Sequence, residues 1–136
     1  MELIKGYPQR KPFRNKKNSA TDSVVIGRNY SSNLCMIRSL GKAGHDVEVI
    51  RLTSRKATFK EIVKQEIPEA HSIYTKAFYN CSQANNGIKV FEMLMKLANK
   101  KRKKSLFPTD DVSAYIVDQY YEDLKEHYLI NYIDMN

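Results

Sequence analysis

The sequence predicts an α/β fold, a three-layer α/β/α sandwich built on a parallel sheet of four or five strands. Three observations lead there. Short β-branched runs alternate with amphipathic stretches, as in chains that cover both faces of a sheet with helices. A strand, a polar loop, a helix and a second strand fit within residues 23–52. Glycine or proline stands at several of the junctions between these segments.

The first run, Ser23-Val24-Val25-Ile26-Gly27, reads as a buried strand entering a turn. Arg28 to Asn33 is polar, and Ser31, Ser32 and Asn33 are each good helix N-caps. Leu34, Ile37 and Leu40 then recur at helical spacing, with Arg38 and Lys42 turned away. Gly44 follows the last turn, where a left-handed C-cap favours glycine. Asp46 to Leu52 is the second strand, with Val47, Val49 and Ile50 inward. A strand–helix–strand unit of this length is parallel and right-handed.

The alternation continues. Thr58-Phe59-Lys60-Glu61 has the form of a capping box and opens a short helix that Pro68 is expected to stop. Ser72 to Tyr79 holds a third strand, centred on Ser72-Ile73-Tyr74-Thr75. Asn85 and Asn86 precede a long helix presenting Ile88, Phe91, Leu94, Met95 and Ala98 on one face. Ser105-Leu106-Phe107 is a fourth strand. Asp110 or Thr109 caps a helix running from about Val112 to Tyr128 and burying Ile116, Tyr120, Leu124 and Tyr128. Leu129-Ile130 begins either a last strand or a linker. The organisation read from the chain is thus a basic arm over residues 1–22, one domain over 23–130 and the start of a linker over 131–136.

Composition narrows the function classes. At 136 residues the chain allows one domain, large enough to bury a core. With 42% hydrophobic and 28% charged residues it is neither disordered nor low-complexity. No apolar run approaches the ~18–20 residues of a membrane span, and the first residues lack a secretory signal. Cys35 and Cys81 are too few for a disulfide framework and form no CxxC pair. A cytoplasmic protein with reduced thiols is the expectation.

The net charge of +8 is unevenly spread. Residues 1–22 carry six basic and two acidic groups, Lys100-Lys101-Arg102-Lys103-Lys104 is wholly basic, and residues 105–136 carry one basic and seven acidic groups. Neither a nucleic-acid fold motif nor interleaved aromatics accompany the basic run, which argues against a nucleic-acid partner. The simpler expectation is a solvated helix end complementing the helix dipole.

Ligands of open parallel sheets bind beyond the C-terminal strand ends, where strand order reverses. With the strands in the order 3-2-1-4, the loops after the first and fourth strands flank that crevice. Candidate binding residues are therefore Arg28, Asn29, Tyr30, Ser31, Ser32, Thr109 and Asp110. The first loop offers a helix N-terminus suited to an anion or carboxylate. It has one glycine, Gly27, where a dinucleotide fingerprint has three, and Arg28 and Tyr30 would crowd a pyrophosphate. Asp110 and Asp111 are expected to cap a helix rather than hold a metal. His45, His71 and His127 have no ligand spacing, and Cys35 is expected in the core. The sequence contains no Walker A loop, nucleophile elbow or Ser/His/Asp set, so no catalytic or metal-binding residue is assigned. Tyr115, Tyr120, Tyr121, Tyr128 and Tyr132 cluster late in the chain, as in an ordinary amphipathic helix or one that packs on a further domain.

Two segments carry a family resemblance. Val24 to Leu52, with Arg38-Ser39-Leu40-Gly41, Gly44, Val47 and Val49, resembles the opening of ATP-grasp ligases of the carboxylate–amine type. Ser105 to Ile130 resembles that family's strand, Pro-Thr-Asp-Asp turn and following helix, here beginning Pro108-Thr109-Asp110-Asp111. The resemblance implies a Rossmann-like preATP-grasp domain. In that family ATP and magnesium sit in two later domains, so none of the present residues would hold them. It implies that these 136 residues are a fragment or a degenerate stand-alone copy. The implied partners are the ATP-grasp domains of the same polypeptide and a small carboxylate or amine substrate, and the implied parent is a carboxylate–amine or carboxylate–thiol ligase. Two other readings compete with it: a stand-alone Rossmann-like module for a small ligand or nucleotide, and a basic polyanion-binding protein.

Overall fold

A computed structural model describes residues 2–3, 22–54 and 67–131. The sheet contains β1 (Glu2–Leu3), β2 (Asp22–Gly27), β3 (Asp46–Thr53), β4 (Thr75–Ser82), β5 (Lys104–Pro108) and β6 (Tyr128–Ile130). The helices are α1 (Tyr30–Lys42), α2 (Pro68–His71), α3 (Ala84–Leu97), α4 (Asp111–Gln119) and α5 (Tyr121–Leu124). Strand order is β1-β4-β3-β2-β5-β6. The five strands β2 to β6 are parallel, and the two-residue β1 adds to the β4 edge antiparallel. The order therefore reverses between β2 and β5, as expected, and Leu129-Ile130 belongs to a fifth parallel strand.

Alternation along the strands loads both faces of the sheet. Val24, Ile26, Ile50, Leu52 and Leu106 pack with Val90, Met93 and Leu94 of α3 and with Ile116 and Val117 of α4. Val25, Val47, Val49 and Phe78 pack on the other face with Ile37 and Leu40 of α1 and Ala70 of α2. This is the three-layer α/β/α sandwich. Central strands buried on both faces read as continuous apolar runs, which is why Val24-Val25-Ile26 of β2 lack polar alternation.

Several local expectations are corrected. Asn29 caps α1, its side chain accepting from Ser31 N at 2.9 Å, whereas Ser31, Ser32 and Asn33 lie inside the helix. Gly44 follows α1 with φ +93°, the left-handed conformation that glycine tolerates without a Cβ clash. Pro68 opens α2, its missing N–H being one that a first turn leaves unpaired anyway. The helix predicted near Thr58 falls outside the described residues, as do residues 4–21 of the arm and residues 132–136. The third strand starts only at Thr75, because Ile73 and Tyr74 form a turn. In α3, Asn85, Asn86 and Gly87 are left-handed, so regular helix begins at Ile88. Its buried residues are Val90, Met93 and Leu94, while Ile88 is exposed. The predicted 112–128 helix breaks at Tyr120, whose ring stacks on Phe91 at 4.6 Å between centroids. Tyr128 lies beyond it in β6, buried, with its hydroxyl donating to the Leu94 carbonyl. Burial pushes that phenol's pKa up, and nearby Glu48 pushes it further. Cys35 is exposed on α1, not in the core, whereas Cys81 is buried.

The basic run departs most from expectation. α3 stops at Leu97, and Ala98 is already extended. Lys100 to Lys103 follow as exposed connecting chain, with Lys103 Nζ donating to the Lys125 carbonyl at 2.9 Å. The helix dipole therefore does not explain them. Lys104 begins β5, is buried, and meets the buried Glu48 of β3 at 2.5 Å across the intervening β2. Removing one member of a buried ion pair strands the other charge. Lys104→Met alone should cost about 3 kcal/mol or more in urea denaturation, and the double variant Glu48→Leu/Lys104→Met much less.

Candidate crevice at the strand-order reversal

The first strand ends at Gly27, and the chain leaves it between two helix N-termini. Thr109 N donates to Ile26 O at 2.9 Å, drawing the loop after β5 against the end of β2. That approach requires a glycine. A Cβ on Gly27 would lie 2.0 Å from Thr109 Oγ1 and 2.5 Å from Asn33 Oδ1. Asn33 is fully buried and fills the resulting corner. Its Nδ2 donates to Gly27 O at 3.1 Å and to Glu69 Oε2 at 3.3 Å, and its Oδ1 accepts from Thr109 Oγ1 at 2.7 Å. Glu69 is itself fully buried, with Arg51 Nε at 3.6 Å from its Oε2. Among the described residues its Oε1 has no hydrogen-bond partner.

Asp110 closes the arrangement. Its Oδ1 accepts from Ser113 N at 2.8 Å, and Ser113 Oγ lies 3.2 Å from Asp110 N, a reciprocal capping box at the start of α4. Its Oδ2 accepts from Arg28 N at 2.6 Å, so one carboxylate fastens both loops. Burial by itself would raise the Asp110 pKa. The Arg28 and Ser113 amides, the Ser113 hydroxyl and the Arg28 charge outweigh it and hold this carboxyl below its usual range.

A cleft of about 490 Å³ opens above this corner, lined by Arg28, Asn29, Tyr30, Ser32 and Asp110. Five of the seven residues singled out in the sequence thus come together. The other two do not line it. Ser31 Oγ donates to the capping Asn29 at 2.7 Å, and Thr109 lies behind the cleft against Asn33. Asn33 and Glu69 were not foreseen as supports. Asn33 does carry a signal: it continues the apolar stripe of Ile37 and Leu40 toward the helix start, where a polar residue must find buried partners.

The cleft has one cationic lining side chain, Arg28, and one anionic, Asp110. Both Asp110 oxygens already accept backbone amides, whereas the Arg28 guanidinium has no ion-pair partner among the described residues. The two helix N-termini that could cradle a phosphate are capped by Asn29 and Asp110. The described residues contain no group of three or more His, Cys, Asp or Glu placed to hold a metal ion. His45 bonds Ser23 at the opposite end of β2, and no described helix is long and apolar enough to cross a membrane.

Compared with protein-family models, with curated proteins and with solved structures, the chain matches none.

Two outcomes test the geometry. Gly27→Ala should destabilise the protein by about 1–3 kcal/mol, because Thr109 and Asn33 must move from a packed corner. Asp110→Ala should cost about 1 kcal/mol at neutral pH, the usual worth of an N-cap. A carboxyl whose folded pKa is depressed stabilises the fold while ionised. That contribution is complete above the unfolded value of about 3.9 and vanishes as pH falls through the lower folded value. Urea denaturation of wild type and variant should therefore converge as pH is lowered below about 4.

Proposed function

We propose that this is the N-terminal Rossmann-like domain of an ATP-dependent carboxylate–amine or carboxylate–thiol ligase, and that its crevice takes a small carboxylate-bearing substrate. The observation that carries the substrate class is the difference in hydrogen-bond occupancy between the two charged groups. Both Asp110 oxygens already accept backbone amides, whereas the Arg28 guanidinium has no ion-pair partner among the described residues, so its N–H donors are open to a ligand. A guanidinium fork binds a carboxylate through two parallel N–H···O bonds. The Ser32 hydroxyl and the half-exposed Tyr30 ring give the rest of a ligand one polar and one apolar surface.

The same residues do not suit ATP or magnesium. A triphosphate would meet two helix starts whose caps are filled, and Asp110, the one carboxylate among the described residues lining the cleft, already has both oxygens on backbone amides and offers magnesium no carboxylate pair. In this reading nucleotide chemistry belongs to further domains of the ligase, and the present chain orients an acid for activation as an acyl phosphate. A stand-alone small-ligand module would use the same crevice, and the Arg28 argument applies to it equally.

The test is a titration of the chain with a panel of small carboxylic acids, amino acids and amines, followed by amide chemical shifts and calorimetry. Carboxylates should perturb residues 28–32 and 110, and Arg28→Ala should weaken binding about tenfold or more. Binding by amines alone, or low-micromolar affinity of this chain for magnesium–ATP, would contradict the reading.

A further inference from the structure

A second groove, of about 620 Å³, lies between α1 and the turn joining α2 to β4. Leu34, Ile73 and Tyr74 supply apolar walls, and Arg38, Lys42 and His71 supply basic ones; among the described residues no acidic side chain lines it. Leu34, Arg38 and Lys42 follow one another at four-residue intervals along one face of α1. Arg38 and Lys42 are exposed and have no ion-pair partner among the described residues. Like charges at this spacing repel, and only Lys42 is near enough the helix C-terminus to gain from the dipole.

The opposite surface chemistry occurs on the same chain. On α4, Asp111, Tyr115 and Asp118 share one exposed face at helical spacing. Tyr115 is 65% exposed, the most exposed large hydrophobic among the described residues. Neither aspartate has an ion-pair partner among the described residues, and Asp118 lies in the last turn, where a negative charge opposes the dipole. Each surface therefore holds a charge that its own helix disfavours, and each is the complement of the other: an apolar-walled cationic groove and an aromatic side chain flanked by carboxylates.

We propose that the α1 groove receives the Asp111–Tyr115–Asp118 face of a second copy of this chain. Tyr115 enters between Leu34 and Tyr74, and the two aspartates face Arg38 and Lys42. The occupant is a second copy because both complementary surfaces are present on one chain and cannot meet within it. α1 covers the Val25–Val47–Val49 face of the sheet and α4 the Val24–Ile26–Ile50 face. The contact is then head-to-tail, and such contacts build chains or rings instead of stopping at a two-fold dimer. This proposal is independent of the carboxylate crevice.

A charge-swap experiment tests it. At about 0.05 M salt and several hundred micromolar protein, sedimentation should show a weight-average mass above that of a monomer, falling to the monomer value at about 0.5 M salt as charges are screened. R38E/K42E and D111K/D118K should each be monomeric alone, since each then opposes like charges. Mixed together they should associate again, because the altered groove of one now matches the altered face of the other, and the two unaltered surfaces still match. Far-UV circular dichroism checks folding. If D111K/D118K is misfolded, D118K alone should weaken association about threefold. A wild-type chain monomeric in low salt would overturn the proposal. So would either variant associating as wild type does, or a mixture of the two that stays monomeric.

Discussion

The carboxylate of Asp110 is the contact on which the geometry of the reversal point depends. Its two oxygens serve two loops that are 82 residues apart in sequence. One caps α4, and the other takes the amide that follows Gly27. Hydrogen bonds from amides to an ionised carboxylate are stronger than neutral ones. Ionisation here is favoured by the same amides it holds, so charge and structure reinforce each other. Both Asp110 oxygens are thereby occupied, which leaves the Arg28 guanidinium as the charged group of the cleft with open hydrogen-bonding capacity.

Behind Asp110 stands a second layer of support. Asn33 bridges the Gly27 carbonyl, the Thr109 hydroxyl and the Glu69 carboxylate, using its donor toward two acceptors and its acceptor toward one donor. This is how a parallel sheet accommodates polar groups where its strands end: the exposed carbonyls at the top of β2 are met by a side chain from the next helix. At the other end of the sheet Glu48 and Lys104 neutralise each other over β2, and His45 bonds Ser23. Polar anchoring thus sits at both ends of the central strands, and the middle is left to Val24, Val25, Ile26, Val49 and Ile50.

Much of this was legible in the sequence, and the failures have physical causes. The strand order assumed for such a sheet is the one observed, and the parallel pairing and the positions of β2, β3 and β5 followed from apolar runs with clear punctuation. The capping residue of α1 did not, because Asn29, Ser31, Ser32 and Asn33 are all competent caps. The choice among them is made by Asn33, which tertiary contacts with Thr109 and Glu69 draw into the helix. Lys104 was misread because composition cannot separate the last lysine of a solvated run from the first residue of a strand. Only the distant Glu48 makes the difference. The helix after Asp111 looked longer than it is because Ile116, Tyr120 and Leu124 keep helical spacing across the break at Tyr120.

The crevice was legible for a topological reason, and its chemistry was not. Strand order alone placed the loops after β2 and β5 beside each other, so Arg28 to Ser32 and Asp110 could be named without any structure. Which of them would be free to meet a ligand depended on hydrogen bonds that sequence spacing cannot give. Ser31 and Asn29 are spent on one cap, Asp110 on another, and Thr109 on Asn33. What remains is a guanidinium, a hydroxyl and an aromatic ring on a loop fixed at both ends. A loop held this way loses little freedom when a ligand arrives, so a small acid can be oriented by few contacts. The proposed role, holding a carboxylate still while another part of the protein acts on it, rests on that fixed loop.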